Sequence, residues 1–271
     1  MRGYVLFVYH LKGGVGKSTL VTNIAGALSQ LGKRVLLVDM DPQCATTYMV
    51  GADPVAIEKS IAGAMIEGCT LASIVKPTRF PGIDIVAGSK DLWALDITLE
   101  QVQEDRDQLL NKALQPVREL YDVVIIDSHN KYGWAEINSL VAANSVLTPV
   151  QCGVLPFECL DDVHRILERF GKTYGKQVPV LGYVVTMFHR NANVLHWHTI
   201  SKETDQLLRD KFHDLVFKQV IDYDEQVATA PRVQEPIEYY RNKGKASAEF
   251  VELTRELLSR IDAHMKAQGG K

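Results

Sequence analysis

Six apolar runs rich in β-branched residues, at 4–9, 34–39, 83–87, 123–127, 145–150 and 180–187, alternate with segments of helical period. Those segments span 17–30, 99–120, 135–143, 158–170, 199–212 and 246–263. Several runs carry no polar alternation, and a strand without a polar face has to be covered on both sides. Right-handed crossovers between such strands predict an α/β fold: a doubly wound, mostly parallel sheet with helices on both faces. No repeat, low-complexity tract or long linker interrupts the pattern. Residues 1–265 are expected to form one domain, with 266–271 as a flexible tail.

The stretch Lys12-Gly13-Gly14-Val15-Gly16-Lys17-Ser18-Thr19 follows the first run directly and opens the first helix. Its glycines let successive backbone N–H groups turn into one concavity, which suits an anion. The helix N-terminus adds partial positive charge and Lys17 a full one, while the Ser18 hydroxyl stands where such loops bind Mg²⁺. Two further runs end in acids at the sheet edge where open α/β folds hold their ligands: Asp39 and Asp41 after the second, Asp127 after the fourth. Carboxylates there can hold a metal's water shell or orient an attacking water. Strand-end aspartates that merely cap a helix are the plainer alternative.

The Lys-Gly-Gly-Val-Gly-Lys-Ser loop resembles the deviant Walker A motif of the ParA/MinD family of ATPases, closest to ParA-type partition and cargo-positioning members. The first glycine of the ordinary loop would fall on Leu11, and an early lysine, Lys12, stands beside it. The resemblance implies a P-loop NTPase with ATP and Mg²⁺ as cofactors, ATP contacts along Lys12–Thr19, and Lys12, Lys17 and Asp41 as catalytic residues. Ser18, Asp39 and Asp127 would hold the metal, Asp127 as the Walker B carboxylate. In the family, the early lysine reaches across a nucleotide-sandwich homodimer. Where relatives carry a small residue and two prolines after the Walker B aspartate, this chain has Ser128-His129-Asn130-Lys131. His129 reads either as a polar contact at a partner interface or as an exposed loop histidine without special role.

The likeness extends to the distal half, through Gly182-Tyr183-Val184-Val185-Thr186-Met187-Phe188, the segment from Ala228 to Ile237, and Tyr240-Arg241-Asn242-Lys243-Gly244-Lys245. It implies Met187 and Pro231 beside the adenine. Basic residues of this region contact DNA non-specifically in the family, so Arg190, Lys218, Arg232, Arg241, Lys243 and Lys245 are the DNA-binding candidates. Composition limits how. Thirty Lys and Arg against 33 Asp and Glu leave a formal charge of -3, so no general attraction to nucleic acid exists and any cations must gather on one face.

The family reading implies a ParB-like or other adaptor, a cargo such as a plasmid, chromosome locus or carboxysome, and a cytoplasmic protein that joins the nucleoid when ATP-bound. A MinD-like membrane-cycling role would need a basic amphipathic C-terminal helix. Phe250, Leu253, Leu257, Leu258, Ile261 and Met265 do form a stripe, but Glu249, Glu252, Glu256 and Asp262 share the segment. It reads as a helix packed on the sheet, and no stable membrane association is expected. Cys44, Cys69, Cys152 and Cys159 have no paired spacing, which disfavours an iron–sulfur scaffold and a disulfide framework. A metabolic enzyme that phosphorylates or ligates a small molecule is a further alternative. His189, His196 and His198 around Trp197 read as surface or packing residues.

Overall fold

The computed structural model describes residues 2–57, 59–102, 104–153, 156–190 and 195–269, with the side chains of 156–159 and 195 excepted. The strands are β1 (Tyr4–Val8), β2 (Val35–Met40), β3 (Lys76–Pro77), β4 (Ile83–Val86), β5 (Val123–Ser128), β6 (Ser145–Gln151) and β7 (Val180–Thr186). Helices α1 (Lys17–Gln30), α2 (Ala45–Met49), α3 (Ile61–Ile66), α4 (Leu71–Ile74), α5 (Leu95–Glu100) and α6 (Leu109–Leu114) lie in the first half. In the second half come α7 (Trp134–Ala142), α8 (Pro156–Tyr174), α9 (Leu195–Phe212), α10 (Glu225–Val233), α11 (Ile237–Tyr240) and α12 (Lys245–Gly269).

The sheet order is β3-β4-β2-β5-β1-β6-β7, parallel throughout except for the short antiparallel edge strand β3. Both faces are covered, as the unalternated strands require. Val5, Phe7, Leu36, Val38, Val124 and Ile126 pack under α3–α8, whereas Leu6, Val8, Val35, Leu37, Val123 and Ile125 pack under α1, α11 and α12. Helix α1 forms over the residues its period predicts.

Helix α12 runs from Lys245 to Gly269, past the expected end at 263, and residues 270–271 lie outside the described residues. Its stripe of Phe250, Leu253, Leu257 and Ile261 is buried in the core. At about 2 kcal/mol per side chain, baring these four would cost on the order of 8 kcal/mol. The helix is also clasped to the start of the sheet: the Tyr4 hydroxyl donates to Ser145 Oγ at 2.7 Å and lies 2.7 Å from His264 Nδ1.

The continuous helix expected at 99–120 is not formed. Helices α5 and α6 are separated by a polar stretch in which Asp105 adopts φ 55, and a turn at Arg118–Leu120 follows. Glu104, Asp105 and Asp107 supply no apolar residue to continue the stripe, and the left-handed residue breaks the helix there.

Candidate nucleotide site

The site lies at the C-terminal ends of β1, β5 and β2, on either side of which the chain winds in opposite directions. The parallel register aligns Val8 with Asp127 and Asp127 with Asp39, so two fully buried carboxylates stand side by side on neighbouring strands. Above them the loop turns through Gly14 (φ 76) and Gly16 (φ 88), conformations that admit glycine without strain.

Lys17, the first residue of α1, folds its ammonium back to the carbonyls of His10 at 3.2 Å and Lys12 at 3.3 Å. Burial lowers its pKa, while Asp127, Asp41 and Glu136 oppose that shift. The Val15 carbonyl is held by the Thr186 hydroxyl at 3.1 Å, which ties the loop to β7. His10 Nδ1 accepts the Lys12 N–H at 2.9 Å. The Lys12 side chain is exposed and forms no ion pair among the described residues.

Asp39 Oδ2 accepts the Thr47 N–H at 2.8 Å and the Thr47 hydroxyl at 2.6 Å, and Asp39 Oδ1 accepts the Asp41 N–H at 3.1 Å. Asp127 accepts the Thr46 hydroxyl at 2.7 Å and its neighbour's N–H at 3.0 Å. Burial raises the pKa of both carboxyls, and the Asp127 charge raises Asp39 further. A cation between them and Ser18 would relieve this repulsion. A hydroxyl with one or two carboxylates, the other positions left for water and phosphate, is the donor set that Mg²⁺ takes in nucleotide sites. Asp41 stands higher, half-buried, with Oδ1 accepting the Gln43 N–H at 2.8 Å.

Two adjoining cavities meet at Gly16, Thr19 and Met187. One, of roughly 390 Å³, is lined by the loop with Lys17, Ser18, Asp41, Gln43 and Asn130. The other, of roughly 240 Å³ and mainly apolar, is lined by Ile221, Tyr223, Val227, Pro231 and Phe250 among others. A polyanion in the first and a flat ring in the second would fit their chemistry. Met187 and Pro231 are thus brought together, Met187 by an unusual φ of 54 at the end of β7.

The six distal cations are not gathered on equal terms. Arg190 and Lys245 both pair with the buried Asp222, Arg190 Nε at 2.8 Å. Burial alone would raise the Asp222 carboxyl, but its hydrogen bonds to the two cations more than reverse it. Arg232, Arg241 and Lys243 are exposed, Arg241 lying over the Tyr240 ring. Lys218 lies apart, in a groove with Arg209, Glu256 and Arg260. His189 stacks on Tyr223 with ring centroids 4.9 Å apart, and its carbonyl lies 2.9 Å from His198 Nδ1.

His129 is not the exposed loop histidine of the plainer reading. It is largely covered, with Nδ1 2.5 Å from Oε1 of the fully buried Glu136. Burial works against its cation, but the Glu136 carboxylate outweighs burial and raises the imidazole's pKa. Sequence reasoning also missed His10, Thr46, Thr47 and Thr186. The two threonines carried the clearest signal, standing on α2, the short helix that follows the acidic strand end.

A family model described as an AAA domain matches residues 3–180. Chromosome partitioning protein ParA of Myxococcus xanthus is 30% identical over 258 residues, spanning 95% of this chain and 89% of that protein. The chain belongs to the ParA/MinD family of P-loop ATPases. Another family relative, the sporulation initiation inhibitor protein Soj of Bacillus subtilis, is 28% identical over 94% of this chain and 98% of its own. Among solved structures, a Mycobacterium smegmatis cobyrinic acid a,c-diamide synthase with bound ADP and magnesium is 26% identical, with TM-score 0.79 over 96% of this chain and 95% of that one. An ATP complex of Cyanothece McdA shares the fold at 19% identity, with TM-score 0.82 over 94% of this chain and 96% of that one.

Proposed function

We propose that this ParA/MinD-family chain is a ParA-type ATPase that binds ATP and Mg²⁺ between two copies of itself. In that closed state it grips DNA without sequence preference, and it positions a cargo as a ParB-like or other adaptor stimulates slow hydrolysis. The observation that carries the reading is Lys12. Its backbone is pinned by His10 at the mouth of the phosphate cavity while its ammonium points free of any partner among the described residues. A cation left unpaired beside a phosphate cradle is suited to the phosphates of a second subunit.

Within one subunit Lys17 and the loop N–H groups hold the phosphates, and Ser18, Asp127 and Asp39 hold Mg²⁺, which offsets phosphate charge when bound. Asp41 keeps Oδ1 on the Gln43 N–H and has its other oxygen for a water at the open side of the cavity. Met187 and Pro231 flank the adenine. Arg232, Arg241 and Lys243 are the cations best suited to DNA, because Arg190 and Lys245 are engaged by Asp222. Cytoplasmic and nucleoid-associated placement follows from this cycle. Burial of the α12 stripe argues for DNA over a membrane, and among the described residues no helix is long and apolar enough to cross one.

Sedimentation of the full chain with Mg²⁺ and a non-hydrolysable ATP analogue tests the reading. A dimer that forms with the analogue but not with ADP, and that alone co-sediments with random-sequence DNA, is expected; a monomer under both conditions overturns it. The likeness to the diamide synthase favours one second reading, an enzyme that phosphorylates or ligates a small molecule. ATP turnover that requires a small acceptor, and is indifferent to DNA and adaptor, would establish that reading instead.

A further inference from the structure

Helix α10 forms one wall of the apolar cavity through Val227, Ala228 and Pro231, yet little in its own sequence holds it there. Ala230 alone among its nine residues is buried. Pro231 stands inside the helix without an N–H, so the bond that would run back to the Val227 carbonyl is not made. A helix this short is marginal without support from outside. At its first turn the Asp224 side chain accepts the Gln226 N–H at 2.7 Å. At the other end Gln234 turns left-handed at φ 57 and sets its N–H on the Pro231 carbonyl at 3.1 Å. That closure leaves the carbonyls of Val233 and Gln234 beyond the reach of the helix's own donors.

Both carbonyls are taken by Arg79, which belongs to the turn between β3 and β4. Its Nη2 donates to the Val233 carbonyl at 2.9 Å and the Gln234 carbonyl at 2.8 Å, and lies 3.1 Å from Glu235 Oε1. The turn is itself fixed. The Thr78 hydroxyl donates to the Ile83 carbonyl at 2.7 Å, and the Phe80 ring packs on Tyr239 of α11 with centroids 4.6 Å apart. A cation mounted on the sheet edge thus caps the negative end of the helix that walls the cavity. The ion pair with Glu235 is half exposed and contributes little, so the two charge-assisted carbonyl bonds carry the clasp.

We propose that Arg79 is a positioning residue for the nucleotide base: by clasping the C-terminal end of α10 it keeps Val227 and Pro231 in place in the cavity that Met187 also lines. The proposal rests on the nucleotide-binding reading above, and Arg79 itself touches no part of the ligand. Freeing one end of α10 lowers the share of molecules whose wall is in place, and a ligand that needs the wall loses affinity by that share. A phosphate chain does not need it, because the cavity around Lys17 and Ser18 includes no residue of α10.

Displacement of a fluorescent ADP from the full chain with Mg²⁺ tests this, with unlabelled ADP and inorganic tripolyphosphate as the competitors. Arg79→Ala is expected to weaken ADP by about five- to tenfold, while tripolyphosphate, which has no base, stays within about twofold of wild type. Arg79→Lys, whose ammonium still reaches the two carbonyls, restores most of the ADP affinity. Glu235→Gln removes the ion pair, leaves the clasp and stays within about twofold of wild type for both competitors. Hydrogen exchange in unliganded Arg79→Ala quickens over 225–234 and not over α1. Wild-type ADP affinity in Arg79→Ala, or loss of ADP and tripolyphosphate by the same factor, overturns the role of Arg79. Failure of the wild-type chain to bind either competitor strikes instead at the nucleotide reading beneath it.

Discussion

The imidazole of His10 accepts the backbone N–H of Lys12 at 2.9 Å, and does so from a side chain that is only 2% exposed. Nδ1 is therefore unprotonated in the folded chain. His10→Asn carries an acceptor oxygen at nearly the same distance from the backbone and is expected to keep ATP-dependent dimerisation. His10→Leu leaves the Lys12 N–H unpaired, with an expected loss of about 1–3 kcal/mol in urea unfolding and weakened dimerisation by sedimentation.

The same imidazole makes stability depend on pH. Burial, with Lys17 and Lys12 nearby, lowers its pKa from 6.5 to about 4. Between those values the unfolded chain binds the proton and the folded chain does not, so stability is full above pH 6.5 and falls as pH drops toward 4. At pH 5 this one group should account for on the order of 2 kcal/mol of lost stability. Urea midpoints at pH 7 and 5 should show a smaller drop in His10→Asn than in wild type.

Lys12 and Lys17 should separate two steps. Lys17→Ala removes the cation inside the cradle and is expected to weaken nucleotide binding at least tenfold. Lys12→Ala leaves that cradle intact, so calorimetry should give near-normal ATP-analogue binding by the monomer, with the ATP-dependent dimer absent on sedimentation.

Asp41→Ala should leave ATP-analogue affinity within a few-fold of wild type and lower the ATPase rate by about a hundredfold or more, the scale on which loss of a positioned general base or water-orienting group is felt. A phosphate-release assay beside an equilibrium titration checks both halves.

The distal cations divide into two classes that charge reversal should tell apart. Arg190→Glu or Lys245→Glu puts a second negative charge beside the buried Asp222 and is expected to destabilise the chain by about 1 kcal/mol or more, read as a lower melting temperature. Arg241→Glu with Lys243→Glu should leave melting unchanged. That double variant should weaken DNA binding and flatten its dependence on salt, seen in gel shifts across a salt series.

Much of the fold was legible because its signals are local. The glycine loop, the strand before it and α1 over Lys17–Gln30 follow from neighbours in sequence, and so do Asp39 and Asp127, each one residue short of its strand's end. What was not legible depends on partners brought from elsewhere. Arg190 reads as a free cation until β7 and the segment before α10 set it against Asp222, 32 residues away. His129 reads as exposed until α7 brings Glu136 beneath it, and Asn130 meets the phosphate loop only when its own loop folds over Gly13. The 99–120 stretch misled because flanking leucines keep helical spacing across an acidic run that turns at Asp105.

The clasp between Tyr4 and His264 joins the two ends of the described chain at the base of the sheet. Tyr4 begins β1, and the phosphate loop leaves from that strand's other end, five residues and about 16 Å away. A fluorescent reporter on the exposed Lys266 of α12 would thus stand behind the nucleotide mouth rather than across it.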